Sequence, residues 1–154
     1  MKALKVGDKI PNFKTKDTKG NDFDSTSLVG KKPLVIYFYP KDNTPGCTAE
    51  ACSFRDLYED FVDLGAEVIG ISSDSVASHQ KFTKQYKLPF ILLSDTDKKI
   101  RSLFGVPSGM FGLLPGRVTY VVDKEGIIQM IFDSMLAGKH ISKALAAVKK
   151  IVLE

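Results

Sequence analysis

Apolar runs rich in β-branched and aromatic residues recur along the chain and predict buried strands. Polar positions rarely interrupt these runs, and such continuous patterns are typical of strands that helices cover on both faces of a sheet. The last two runs flank residues 123–126, a polar turn ending in glycine that predicts a hairpin. The runs lie at 33–39, 67–72, 90–94, 118–122 and 127–132.

Segments with apolar residues at a period near 3.6 lie between the strands and predict amphipathic helices. Gly65 is suited to end the first of them, and Asp74 or Ser75 is suited to cap the second. This alternation predicts an α/β fold with a central mixed β-sheet flanked by helices, in one domain formed by residues 1–154. The helices are expected at 47–64, 75–86, 95–104 and 139–153.

A net charge of +4 and a pI of about 9.0 raise the question of nucleic-acid binding. The lysines are spread along the chain, and the three arginines stand far apart at positions 55, 101 and 117. The sequence therefore offers no cluster of basic residues that could bind along a nucleic-acid backbone. We therefore expect no nucleic-acid partner. No apolar run approaches the ~20 residues that span a bilayer, so we expect no membrane association either.

The N-terminus lacks the apolar centre of a secretory signal peptide, which favours a cytoplasmic location. The alternative is an organelle, reached with a transit peptide that is removed ahead of residue 1. The chain has two cysteines, and cytosolic proteins seldom use such a pair as a structural disulfide. The two thiols are therefore the first candidates for chemistry.

Cys47 follows the first long strand and falls in the first turn of the next predicted helix. Functional sites of open α/β sheets gather beyond the carboxyl ends of the strands. Free backbone N–H groups and the positive end of the helix macrodipole favour a thiolate at such a position. Thr44, three residues earlier, offers a hydroxyl to the thiolate or to an incoming oxygen. The competing interpretation is a buried cysteine that acts as a small hydrophobic residue.

Cys52 lies five residues after Cys47, and this spacing constrains any reaction between them. In an intact α-helix, residues five apart have Cα atoms roughly 8.6 Å apart. A disulfide needs Cα atoms within about 6.8 Å. The two cysteines therefore either never bridge or bridge only when the helix unwinds. The spacing also weakens an interpretation as a simple dithiol exchanger, since a C-x-x-C pair closes without that distortion.

The segment around Cys47 resembles the active site of peroxiredoxins through its Pro40-x-x-x-Thr44-x-x-Cys47 pattern. Over nearly its whole length the chain is similar to the bacterioferritin comigratory protein or PrxQ subfamily. The similar segments are 37–40, 44–48, 70–72, 93–95 and 111–123, the last containing Phe-Gly-Leu-Leu-Pro-Gly-Arg. Similar single positions in the helix after Cys47 are Glu50, Cys52, Phe54, Arg55 and Asp56.

This resemblance implies a thioredoxin-like fold and a thiol peroxidase that reduces hydrogen peroxide and organic hydroperoxides. It implies that Cys47 is the peroxidatic cysteine and Cys52 the resolving cysteine, joined in an intramolecular disulfide during turnover. Thioredoxin or a similar dithiol donor would reduce that disulfide. The resemblance further implies a monomer that needs no metal and no organic cofactor.

The resemblance also implies roles for four further residues. Thr44 and Arg117 would bind the peroxide and polarise its O–O bond. Pro40 would shield the thiolate from water, and Glu50 would orient Arg117. Phe111 is a candidate for a hydrophobic approach used by organic peroxides.

Other functional classes use the same residues differently. A protein thiol–disulfide oxidoreductase would need the thiolate but not Thr44 or Arg117. A redox sensor would share the first chemical steps with a peroxidase and pass its disulfide to a partner, so the sequence does not separate the two. A metal module would have to combine Cys47, Cys52, His79 and His140, and the cysteine spacing fits poorly with the usual C-x-x-C ligand pair.

The remaining charged residues have structural interpretations. Arg101 is interpreted as a solvated arginine, and Arg55 as a helix-face charge or a neighbour of the site. His79 and His140 are interpreted as structural or surface residues.

Overall fold

The computed structural model describes residues 3–106, 108–109 and 114–153. Within these ranges, no helix combines the length and apolar character needed to cross a membrane. The strands are β1 Lys14–Asp17, β2 Asp22–Asp24, β3 Leu34–Phe38, β4 Glu67–Ser72, β5 Ile91–Ser94, β6 Ser108–Gly109, β7 Leu114–Pro115, β8 Val118–Val122 and β9 Ile128–Asp133. The helices are α1 Pro45–Asp56, α2 Tyr58–Asp63, α3 Val76–Tyr86, α4 Lys99–Phe104 and α5 His140–Leu153.

Seven strands form one mixed sheet in the order β2-β1-β5-β4-β3-β8-β9, which confirms the predicted α/β class. β3, β4 and β5 run parallel, whereas β8 pairs antiparallel with β3. All five predicted strands are present, with ends shifted by a residue or so. Phe38 at the end of β3 lies opposite Val118 at the start of β8. The loops after β3 and before β8 therefore meet at one end of the sheet.

The hairpin of β1 and β2 at the sheet edge is absent from the sequence prediction. β1 reads Lys-Thr-Lys-Asp and β2 reads Asp-Phe-Asp, so neither contains the apolar run that marks a strand. Short, charged strands are typical of sheet edges, where they discourage pairing with other chains. β1 joins the sheet through Lys16 opposite Ser94 and Asp17 opposite Leu93.

The helix expected at 47–64 is wrong in its bounds. The chain forms α1 and α2 instead, with a break at Leu57, where φ is −106° and ψ is 8°. α1 begins two residues early, at Pro45, because proline has no N–H to lose at a first helical position. The apolar period continues through the break, so the pattern alone does not reveal it.

The other predicted helices are present with shifted starts. Ser75 caps α3 as expected, since its Oγ accepts the Ser78 N–H. The helix expected at 95–104 begins only at Lys99, and the one expected at 139–153 begins at His140 after a short 3-10 turn.

Two hydrophobic cores lie on opposite faces of the sheet. Val35 and Tyr37 of β3 pack into the core shared with α1, α2, α3 and α5. The alternate residues Ile36 and Phe38 pack into the core shared with α4 and the N-terminal segment. Helices thus cover both faces, as the uninterrupted apolar runs predict.

Gly70→Ala should destabilise the fold, because Gly70 of β4 lies directly against Tyr37 of β3. A Cβ at this position would meet Tyr37 Cζ and Leu92 Cδ2 at 2.8 Å each. We expect a loss of about 1–3 kcal/mol in the free energy of unfolding, measured by denaturant titration. The matched control is Gly138→Ala, since a Cβ there meets nothing within 4 Å, and its effect should stay within about 0.5 kcal/mol. Equal effects of the two substitutions would contradict this packing argument.

Candidate active site

Cys47 is the third residue of α1 and is 1% exposed. Thr44 stands at the N-cap and Pro45 at the first helical position, so the sequence itself starts the helix here. The sulfur therefore lies beside the unpaired N–H groups of a helix N-terminus, beyond the carboxyl end of β3. This is the position expected from the sequence.

Arg117, which directly precedes β8, reaches across to this helix and is 4% exposed. Its Nη2 donates to the Cys47 sulfur at 3.3 Å, and its Nη1 donates to Glu50 Oε1 at 2.5 Å. Its Nε donates to the Met135 carbonyl at 3.0 Å. Three contacts in three directions fix the plane of the guanidinium beside the sulfur.

Gly46 allows this approach. A Cβ at Gly46 would meet Arg117 Nη2 at 3.1 Å, tighter than an ordinary contact. The residue before the cysteine is therefore a glycine for a steric reason, since the guanidinium lies against the backbone of the first helical turn.

Glu50 is buried one turn after Cys47, with 1% of its surface exposed. Burial raises the pKa of Glu50 to about 7, and the charge and hydrogen bonds of Arg117 partly oppose this. Oε1 accepts from Arg117, whereas Oε2 has no hydrogen-bond partner within the described part of the chain. His140 Nδ1 lies 3.7 Å from Oε2. One guanidinium thus faces both a thiol and a carboxyl group away from water.

Thr44 and Pro40 lie in the β3–α1 loop, residues 39–44, and both are half-buried. The Thr44 hydroxyl donates to the Lys41 carbonyl at 2.9 Å and makes no capping bond to the helix. Pro40 follows Tyr39, whose N–H donates to the Ile71 carbonyl of β4. The structure brings this loop to the same end of the sheet as Arg117, and the roles of Thr44 and Pro40 stay predictions.

Cys52 lies on α1 together with Cys47, and both cysteines are free thiols. The helix is continuous between them, so they stand in the arrangement whose Cα separation is too long for a disulfide. Cys52 is half-buried, whereas Cys47 is buried.

The interpretation of Arg101 as a solvated arginine is wrong. Its guanidinium donates to the Gly116 carbonyl at 3.2 Å and to the Tyr39 carbonyl at 3.4 Å, and lies over the Phe38 ring. Burial lowers the pKa of Arg101. This side chain joins Gly116, the residue before Arg117, to Tyr39 at the start of the β3–α1 loop. Nothing in the sequence near Arg101 indicates these bonds.

Both histidines are fully buried, which excludes the surface interpretation and supports the structural one. His140 Nε2 donates to the Ser134 carbonyl at 2.8 Å, and Nδ1 lies 2.7 Å from Thr119 Oγ1. His79 contacts Asp42 and belongs to a separate cluster. Among the described residues, the group with ligand atoms near enough for a metal is Asp42, Asp74 and His79, and it contains neither cysteine.

Arg55 bonds outside the group formed by Cys47, Glu50 and Arg117, since its Nη1 donates to the Tyr86 carbonyl and its Nε to Asp56. It is therefore a helix-face charge. Phe111 lies outside the described residues.

Comparison with known proteins gives consistent matches. The model of the AhpC/TSA family matches residues 6–131. A chloroplastic peroxiredoxin Q of Triticum aestivum is 51% identical over 142 residues, which cover 92% of this chain and 65% of the wheat protein. This chain therefore spans slightly less than two thirds of that relative.

Solved structures match over almost the full length. Peroxidoxin BcpB from Mycobacterium tuberculosis has a TM-score of 0.88 at 36% identity, covering 96% of this chain and 98% of that one. A bacterioferritin comigratory protein of Xanthomonas campestris, studied for its alkyl peroxide reduction activity, has a TM-score of 0.83 at 32% identity, covering 91% and 92%. The thioredoxin-like fold implied by the resemblance is confirmed.

Glu50→Gln should remove a component of the pH dependence of stability. The pKa of Glu50 in the folded protein is about 7, above its ordinary 4.5, so the folded state holds this proton more tightly than the unfolded state does. The resulting stabilisation is complete below pH 4.5 and is lost as the pH rises through 7.

Denaturant titrations at pH 5 and pH 8 check this expectation. Relative to the variant, the wild type should lose on the order of 2–3 kcal/mol between the two pH values. Parallel stability curves for the two proteins would show that Glu50 does not titrate in this range.

Proposed function

The chain belongs to the AhpC/TSA family, with peroxiredoxin Q among its relatives, and from that membership we propose that it is a thiol peroxidase. Its substrates are hydrogen peroxide and organic hydroperoxides, and its electrons come from thiols. The observation that carries the proposal is the contact of 3.3 Å between Arg117 Nη2 and the Cys47 sulfur, at a helix N-terminus.

This geometry suits attack on a peroxide. The Cys47 thiolate attacks one peroxide oxygen, an S–O bond forms, and the O–O bond breaks. The electron pair moves to the leaving oxygen, which takes a proton and departs as water or an alcohol. Arg117 is permanently charged and presents several donors in one plane, so it can hold the oxygens while charge shifts between them. Cys47 becomes a sulfenic acid.

Thr44, Pro40 and Glu50 assist in this step. Glu50 holds Arg117 through its bond of 2.5 Å, which orients the guanidinium toward the sulfur. Thr44 lies in the loop that precedes Cys47, where its hydroxyl can exchange the Lys41 carbonyl for a peroxide oxygen. Pro40 presents no N–H group to the thiolate and limits the access of water.

Cys52 completes the cycle by attacking the Cys47 sulfenic sulfur. An S–S bond forms, and the hydroxyl group leaves with a proton as water. α1 must unwind for this step. Its buried residues are Cys47, Glu50, Ala51 and Phe54, so Phe54 is the single large apolar side chain that anchors the described helix in the core. Phe54 follows Cys52 in the chain, so unwinding between the two cysteines uncovers Cys47, Glu50 and Ala51 rather than a large apolar side chain. Local opening of this kind occurs in folded proteins.

We infer that thioredoxin or a similar dithiol protein reduces the disulfide by thiol–disulfide exchange. The chain works as a monomer and as one domain. The wheat relative is chloroplastic by name, which favours an organelle over the cytoplasm expected from the sequence.

Peroxide consumption with a thioredoxin system tests the roles of the two cysteines. Cys47→Ser should abolish turnover, because the nucleophile is lost. Cys52→Ser should react with one equivalent of peroxide and then stop, because the sulfenic acid has no internal thiol to meet. Unchanged peroxide consumption by Cys47→Ser would contradict the proposed function.

Arg117→Lys separates a peroxidase from a protein thiol–disulfide oxidoreductase. Lysine keeps the charge but loses the planar fork, so the rate of sulfenic acid formation should fall about 100-fold or more. Disulfide exchange with a small disulfide substrate should change far less. The matched control, Arg55→Lys, keeps the charge on α1 outside the contacts of Arg117 and should leave both rates near the wild-type values. Equal losses in both reactions of Arg117→Lys would favour a general effect on the thiol.

A further inference from the structure

A second buried polar cluster lies at the carboxyl end of the sheet, in the loop that leads to Cys47. At its centre is Asp42, which is 5% exposed although it belongs to a loop. Its carboxylate accepts from the Tyr39 hydroxyl at 2.6 Å and from Ser78 Oγ at 2.9 Å. His79 Nδ1 lies 2.7 Å from Asp42 Oδ2. Three side chains from two elements therefore converge on one carboxylate.

The contact of the other His79 nitrogen determines where the protons of this pair lie. His79 Nε2 lies 3.0 Å from the Leu93 carbonyl, and a carbonyl can only accept, so Nε2 carries a hydrogen and donates it. One further proton then lies between Nδ1 and Asp42. Asp42 and His79 are thus a hydrogen-bonded pair with no net charge, which is the form in which such groups tolerate complete burial.

The backbone of Asp42 is held as well. Its N–H donates to Asp74 Oδ2 at 2.9 Å, and the same oxygen accepts from Ser72 Oγ at 2.6 Å. Asp74 follows β4, so the loop is tied to a neighbouring strand end as well as to α3. These bonds account for the acidic cluster without a metal ion.

The backbone changes from buried and hydrogen-bonded to exposed immediately after Asp42. Asn43 has a φ of 60°, in the left-handed region, and is exposed. Thr44 then accepts the Thr48 N–H, the first bond of α1, at 2.8 Å. Asp42, which is held by its bonds, thus directly precedes the segment from Asn43 into α1 that has to unwind.

We propose that Asp42 and His79 form a positioning anchor, which holds the β3–α1 loop in place while α1 unwinds and rewinds in each catalytic cycle. This inference rests on the proposed function, since it concerns the redox switch of that site. The anchor sets the N-terminal limit of unwinding at Asn43. It also returns Thr44 and Cys47 to the same place relative to Arg117 after reduction.

Hydrogen–deuterium exchange on the wild-type protein tests where unwinding stops. On conversion from the dithiol to the disulfide form, the Thr48 amide should lose protection, whereas the Asp42 amide should keep it. If both amides lose protection together, the loop moves with the helix and the anchor does not exist. If peroxide produces no disulfide at all, the proposed function fails at an earlier step, and the anchor fails with it.

Two substitutions of His79 test the positioning role in the Cys52→Ser background. His79→Asn places an amide N–H where Nδ1 stands and keeps the bond to Asp42. His79→Gln places it where Nε2 stands and keeps the bond to Leu93 instead. Each variant loses one buried hydrogen bond. At a temperature where both variants are folded, a purely structural role predicts equal rates of reaction, even if the two differ in thermal stability.

The anchor predicts different rates of sulfenic acid formation, measured by stopped flow at a temperature where both variants are folded. His79→Gln should be slower than His79→Asn by about tenfold or more, because small displacements of reacting groups are costly. Rates measured over a range of peroxide concentrations separate two effects. The loss should lie in the maximal rate of the bound complex and not only in the peroxide affinity. Equal rates for the two variants would overturn the proposal.

Discussion

The arrangement of this structure depends on one guanidinium, which is buried between a sulfur and a carboxyl group. Charges of this kind are tolerated inside a protein only when their partners are fixed in place. Arg117 therefore needs Glu50, Cys47 and the Met135 carbonyl held in one geometry. Since one positive charge faces two groups that can become negative, the raised pKa of Glu50 leaves Arg117 freer to stabilise a thiolate.

The sheet supplies that geometry through register. Phe38 and Val118 are paired at the ends of β3 and β8, so the residues just beyond them lie side by side although they are far apart in sequence. Arg101 strengthens this junction by bonding the carbonyls of Tyr39 and Gly116, one from each side. A register shift of one residue would turn side chains to the opposite face and separate Arg117 from Cys47.

The parts that the sequence predicts are those with local causes. Buried strands appear as apolar runs, and a helix that begins near Cys47 is predicted from the strand before it and the apolar period after it, although its true start is at Pro45. The break at Leu57, the bonds of Arg101 and the pair formed by Asp42 and His79 depend on partners elsewhere in the fold. Neither the spacing of residues along the chain nor the period of its apolar positions predicts such contacts. The resemblance to a known family indicates Glu50 and Arg117, whereas the residues that hold the loop come from the structure alone.

The break at Leu57 has a consequence for the working life of the protein. Because α1 ends there, α2 begins as a separate helix with Phe61 fully buried against the sheet. Opening of α1 then need not spread to β4, whose apolar side chains would be prone to aggregate if exposed. Repeated turnover would therefore unfold and refold one short helix while the rest of the fold stays closed, and the number of cycles that a molecule survives becomes largely independent of its global unfolding rate.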